Sequence, residues 1–161
     1  MTLAISEISG ERFWKTVVAG LIATYVMTMT GFRQSGLGLA PIDVGAMTAG
    51  SMTAAHPDVP YTLVAGNLAH FANGVILALI WVAFLQERIP GNWIVQGLIY
   101  ALIAQLGAWI VVAPLAFGVG FFFLKTPTPG WLMLSTLVVH LAYGLSLTLS
   151  LKVAGVRAAR T

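Results

Sequence analysis

Apolar residues fill this chain in four long blocks separated by short polar punctuation, a pattern that predicts four membrane-length helices. The first block, Phe13–Phe32, is 20 residues long, enough for roughly 30 Å of helix. Arg12 and Lys15 stand at its start as they would in a signal peptide. No small-x-small cleavage site follows before Arg33, so a retained span is expected. Gly20, Thr24 and Thr28 fall at i, i+4 and i+8, giving it one face fit for close helix packing. The second span is expected at Tyr61–Gln86. The third runs from Asn92 to Ala113, halted near Pro114, and the fourth from Trp131 to Leu151. Gly97, Ala101, Ala104 and Ala108 give the third a small-residue face.

The connections differ in kind. Met1–Glu11 reads as an interfacial lead-in, and Glu87–Gly91 as a tight Pro-Gly turn. Gln34–Pro60 is punctuated by Gly36, Gly38, Pro41, Pro57 and Pro60, yet within it Asp43 can N-cap a short helix ending about Ala55. That segment is too apolar for a free loop and too short to span. It is expected to lie over the mouth of the bundle, interfacial or re-entrant. Leu115–Gly130 carries Phe117 and Phe121–Phe123 ahead of Lys125, in the manner of an interfacial aromatic belt. The fold class expected is all-α: residues 1–161 as one membrane domain, a four-transmembrane-helix bundle of two similar hairpins, with apolar interfacial segments on the outer face.

Composition names the solvent. The chain is 58% apolar and 8% charged, where an ordinary soluble domain carries about 25% charged residues. Such a chain cannot clothe a water-facing surface, so a lipid bilayer is the expected surrounding. Basic residues sit at segment ends and do not cluster, which argues against a nucleic-acid partner. Without cysteine there are no disulfides, Cys-ligated zinc sites or Cys-ligated iron–sulfur clusters. Arg12, Lys15, Arg88, Lys152, Arg157 and Arg160 fall on the side of both termini, against Arg33 and Lys125 opposite. The positive-inside rule then places both termini in the cytoplasm, with a bacterial inner membrane as the expected location.

Candidate chemistry rests on a repeat. His70-Phe71-Ala72-Asn73-Gly74 in the second span is echoed by His140-Leu141-Ala142-Tyr143-Gly144 in the fourth, and Gly20–Ile22 by Gly97–Ile99. Both halves begin on the same side, as a parallel repeat would. His70 lies nine residues after Tyr61 and His140 nine after Trp131. Both rings therefore sit at a similar depth, about 14 Å in, on helices that are diagonal in an up-down-up-down bundle. One metal centre between them, a b-type haem with His70 and His140 as axial ligands, fits that placement. Gly74 and Gly144, one turn after each histidine, and Gly66, one turn before His70, would leave space for its flat ring. The plainer reading has two neutral histidines hydrogen-bonding across helices, with Asn67, Asn73, Gln96, Gln105 and Tyr143 as available partners. Quinone or pigment binding is a third. Met27, Met29, Met47, Met52 and His56 gather toward the outer side as a soft metal would want, but packing explains the methionines and a solvated turn explains His56.

No phosphate loop, nucleophile–base pair or paired carboxylate is present, so enzyme chemistry is not expected. The run Gly20-Leu-Ile-Ala-Thr-Tyr-Val-Met-Thr-Met, the loop Pro41-Ile42-Asp43-Val44-Gly45 and the two His-x-x-x-Gly steps resemble a family of small four-span bacterial membrane proteins of unknown function. That resemblance implies a single four-helix membrane domain and no assigned activity. The function expected is a non-enzymatic subunit or accessory protein among other membrane subunits, with haem b as the candidate cofactor. A small transporter with a polar midplane site is the alternative.

Overall fold

The computed structural model describes residues 10–156, which are helical with no strand among them. Five α-helices follow in order: α1 Gly10–Arg33, α2 Val44–Ala55, α3 Leu63–Ile80, α4 Trp93–Gly107 and α5 Pro129–Val153. With the turns that extend them, α1, α3, α4 and α5 become Gly10–Leu37, Leu63–Leu85, Trp93–Ala116 and Pro129–Val153, each long and apolar enough to cross a membrane. Arg157 and Arg160 of the basic tail, and most of the N-terminal lead-in, lie outside the described residues.

The helix starts are written locally. Asp43 accepts from the Ala46 N–H at 2.9 Å, as expected for the cap of α2. Thr62 caps α3 through the Ala65 N–H at 3.2 Å, and Asn92 caps α4 through those of Ile94 and Val95. The end of the third span differs from expectation. It passes Pro114 and continues to Ala116. Proline lacks an N–H, and the chain accommodates it by widening into a π-helical stretch over Ala108–Ala116, closed by Phe117 N–H to Val112 O at 3.2 Å. A shorter π-turn, Trp81–Leu85, ends the second span.

Helix α3 packs on α1, α1 on α5, and α5 on α4, while α2 lies across α3. These contacts make three sides of a square with α3 and α5 on a diagonal. The fourth side, between α3 and α4, has no close backbone packing along its length. It is bridged toward the α3–α4 turn. There the Trp81 and Tyr100 rings stand 4.7 Å apart, Tyr100 donates to Leu77 O at 2.6 Å, and Gln96 donates to Ile89 O at 2.8 Å. Arg12 at the start of α1 pairs with Glu87 of that turn at 3.6 Å.

Glycines set the helix crossings, and the two hairpins cross alike. A methyl group at Gly20 of α1 would stand 2.9 Å from Ala78 Cβ and 3.1 Å from Val75 Cα of α3. At Gly97 of α4 it would stand 2.6 Å from Thr148 Oγ1 and 3.0 Å from Leu145 Cα of α5. Ala78 and Val75 lie eight and five residues after His70; Thr148 and Leu145 lie eight and five after His140. Backbones approach this closely only where no side chain intervenes.

Candidate functional site

The open side of the square leads into a cavity of about 600 Å³ enclosed by all five helices, within the range of about 300–1,000 Å³ usual for small-molecule sites. Toward the α3–α4 turn it is floored by Tyr100 and Tyr143, whose rings stand 6.2 Å apart. At the opposite end α2 contributes Val44, Met47, Thr48 and Ser51, and the segment after α4 contributes Phe117 and Phe123. Ser51 donates to the carbonyl of Ala116, tying α2 to the end of the third span across this roof. Phe123 is buried, and it and Phe122 take left-handed φ values of 57° and 51°. Each costs about 1 kcal/mol for a residue with a Cβ. The contacts that hold them there are the Phe122–Trp109 ring pair at 5.6 Å and burial of the Phe123 ring. Ile42, also in the roof, is held by its N–H to Gly31 O at 3.0 Å, and the loop ahead of it by Ala40 N–H to Ser135 Oγ at 3.0 Å.

The rim identifies the mouth. Asn73 and Ile80 of α3, with Ile103, Val111 and Val112 of the third span, line the cavity and are also exposed. The opening therefore faces sideways between α3 and α4.

Both expected histidines line this cavity, but each is engaged by a partner other than those the sequence suggested. Thr28 Oγ1 donates to Thr24 O at 2.8 Å and lies 3.1 Å from His70 Nε2. With the hydroxyl hydrogen spent, the threonine oxygen accepts from His70 Nε2–H, leaving His70 Nδ1 with its lone pair. His140 Nδ1 stands 2.8 Å from Thr136 O, a carbonyl that can only accept. His140 is thereby the Nδ1–H tautomer, and Nε2 keeps its lone pair. His70 is buried, while His140 retains partial exposure at the cavity wall.

Of the suggested partners, all but Asn73 are used elsewhere. Asn67 bonds Leu63 O, Gln96 bonds Gln86 O and Ile89 O, and Tyr143 donates to Gly74 O. Gln105 donates to Thr136 Oγ1 at 3.0 Å, and Trp109 Nε1 to the same oxygen at 3.3 Å, so both brace the residue that orients His140. Thr28 and Thr136 are the site residues that sequence reading missed. Thr28 sits on the small-residue face of α1, which reads as packing until a neighbour is known, while Thr136 meets the His140 ring through its backbone carbonyl one turn back.

The three glycines expected to open space beside the histidines are occupied contacts. A Cβ at Gly74 would collide with Thr24 Oγ1, at Gly66 with the Gly45 carbonyl and Ala49, and at Gly144 with the Gly97 carbonyl and Ala101. They hold helices together. The room in the cavity comes instead from α4, where Ala104, Gly107 and Ala108 line it and a Cβ at Gly107 would meet nothing within 4 Å. Met27 and Met47 line the cavity, whereas Met29 lies along an outer groove and His56 is exposed. Among the described residues no group of three or more His, Cys, Asp or Glu side chains gathers.

No curated protein and no solved structure matches the chain. A family's sequence profile does, over residues 11–160. With four membrane-length helices around one side-opening cavity, the chain belongs to the family of unknown function DUF6789.

Proposed function

We propose that this is a multi-pass membrane protein that holds a neutral amphiphilic small molecule in its cavity, as a non-enzymatic accessory protein. The observation that carries the reading is the side-opening cavity of about 600 Å³ bounded by α3 and α4. A cavity of that size, open sideways between two lipid-length helices, receives its occupant from the bilayer and not from water. Its described lining holds no Lys, Arg, Asp or Glu, so a charged ligand would leave its charge unpaired there. Basic residues concentrated on the side of the termini support cytoplasmic termini in a bacterial inner membrane. The matched glycine crossings support reading the hairpins as two copies of one unit.

The residues do not fit a haem gripped by two axial histidines. His70 Nε2 is committed to Thr28, and the glycine notches are filled by neighbouring helices. The described lining also has no cation to receive propionates.

The test is lipid extraction and mass spectrometry of protein purified in nanodiscs, comparing wild type with Ala104→Phe and Gly107→Leu, which fill the cavity. The wild type should release an amphiphile near one equivalent, and the filled variants should release much less. Equal extracts from all three would overturn the reading.

A further inference from the structure

The hydrogen-bond ledger of the cavity specifies the head of its ligand. Every hydroxyl in the lining has given its hydrogen to a backbone carbonyl: Thr24 to Gly20, Thr48 to Val44, Ser51 to Ala116, Tyr100 to Leu77, Thr136 to Leu132, and Tyr143 to Gly74. Both imidazoles have likewise donated their single N–H, to Thr28 and Thr136. What remains toward the cavity is acceptor: His140 Nε2 above all, then His70 Nδ1, neither with a hydrogen-bond partner among the described residues. Asn73, at the rim, carries the one uncommitted side-chain donor of the described lining.

From this we infer that the cavity selects a hydroxyl-bearing amphiphile, an alcohol, phenol or hydroquinone, whose O–H donates to His140 Nε2. The inference rests on the ligand-holding reading above and narrows it. A head that only accepts, such as a quinone carbonyl, an ester or an ether, leaves the His140 lone pair unpaired in an apolar wall. A hydroxyl satisfies it, and its own oxygen can accept from Asn73. The protein therefore discriminates a quinol from its quinone by hydrogen-bond polarity alone, with no difference in size to exploit.

The experiment compares 4-hexylphenol with 4-hexylanisole, its methyl ether, and 1-decanol with its methyl ether. The protein is 15N-histidine-labelled and held in nanodiscs. Thermal stabilisation reports affinity, and the His140 Nε2 resonance reports acceptance of a hydrogen bond. Each hydroxyl compound should bind about tenfold more tightly than its ether, which is ~1.4 kcal/mol. Only the hydroxyl compounds should move the Nε2 signal, and His140→Leu should remove the preference. The tighter of phenol and decanol assigns the head as aromatic or aliphatic. If phenol and ether bind equally and Nε2 does not move, the donor requirement is overturned and the cavity reading survives. If none of the four stabilises wild type more than Ala104→Phe, both are overturned.

Discussion

Tyr143 of α5 donates its phenolic hydrogen to the carbonyl oxygen of Gly74 in α3 at 2.6 Å, joining the second hairpin to the first across the bundle. Both residues follow a cavity histidine, Tyr143 by three and Gly74 by four. The bond thus fixes the separation of the walls that carry His70 and His140.

Removing that bond while keeping the ring tests its share of the stability. Tyr143→Phe should cost about 1 kcal/mol, because Gly74 O retains its helical partner and one buried neutral bond is lost. Tyr143→Ala should cost about 3–5 kcal/mol, since Tyr143 is almost wholly buried and its ring leaves a void in the floor. Thermal unfolding in one detergent compares the two. Equal losses would mean that the hydroxyl, not the ring, carries the contact.

Glycine substitutions separate crossings from free positions. Gly74→Ala places a Cβ on Thr24 Oγ1 and should destabilise by about 1–3 kcal/mol. Gly50→Ala in α2 meets nothing within 4 Å and should be neutral or stabilising by about 0.5–1 kcal/mol. Gly20→Ala and Gly97→Ala occupy matched crossings and should cost alike. A large cost at one and none at the other would argue against equivalent hairpins.

Absorption spectra test the rejected cofactor directly. Protein from haem-replete cells should be colourless, as isolated and after dithionite. A Soret band with sharp reduced α and β bands, abolished by either His70→Ala or His140→Ala, would restore the bis-histidine haem.

Orientation is accessible because the chain has no cysteine of its own. A single cysteine at Asp58, exposed beyond α2, should react with an impermeant maleimide on intact spheroplasts. One at Pro90, exposed in the α3–α4 turn, should react only after permeabilisation. The reverse pattern would invert the topology.

Much of the architecture was legible because membrane helices obey local rules. Twenty apolar residues in a row announce a span wherever their neighbours lie, and a capping side chain acts within three residues, so α2 and its Asp43 cap could be read directly. The placement of His70 and His140 inside the second and fourth spans followed from counting along the chain. Pro114 does not end the third span, because near a helix end its missing donor is absorbed by a wider turn.

Glycine shows where reading along the chain stops. A missing Cβ beside a histidine signals closeness without naming what is close, and a flat ligand and a neighbouring helix make the same request of the sequence. At Gly66, Gly74 and Gly144 the neighbour is a helix, and the free space lies instead along Ala104 and Gly107 of α4. The sequence by itself determined the four spans, the capped α2 and the presence of a histidine in each of two spans, because each depends on residues within a turn or two. Only the tertiary structure decided that α3 and α4 part to leave a side-opening cavity, and that Thr28 takes the hydrogen of the His70 ring. Thr28 reaches His70 across 42 positions of chain, and such pairings are set by how helices cross.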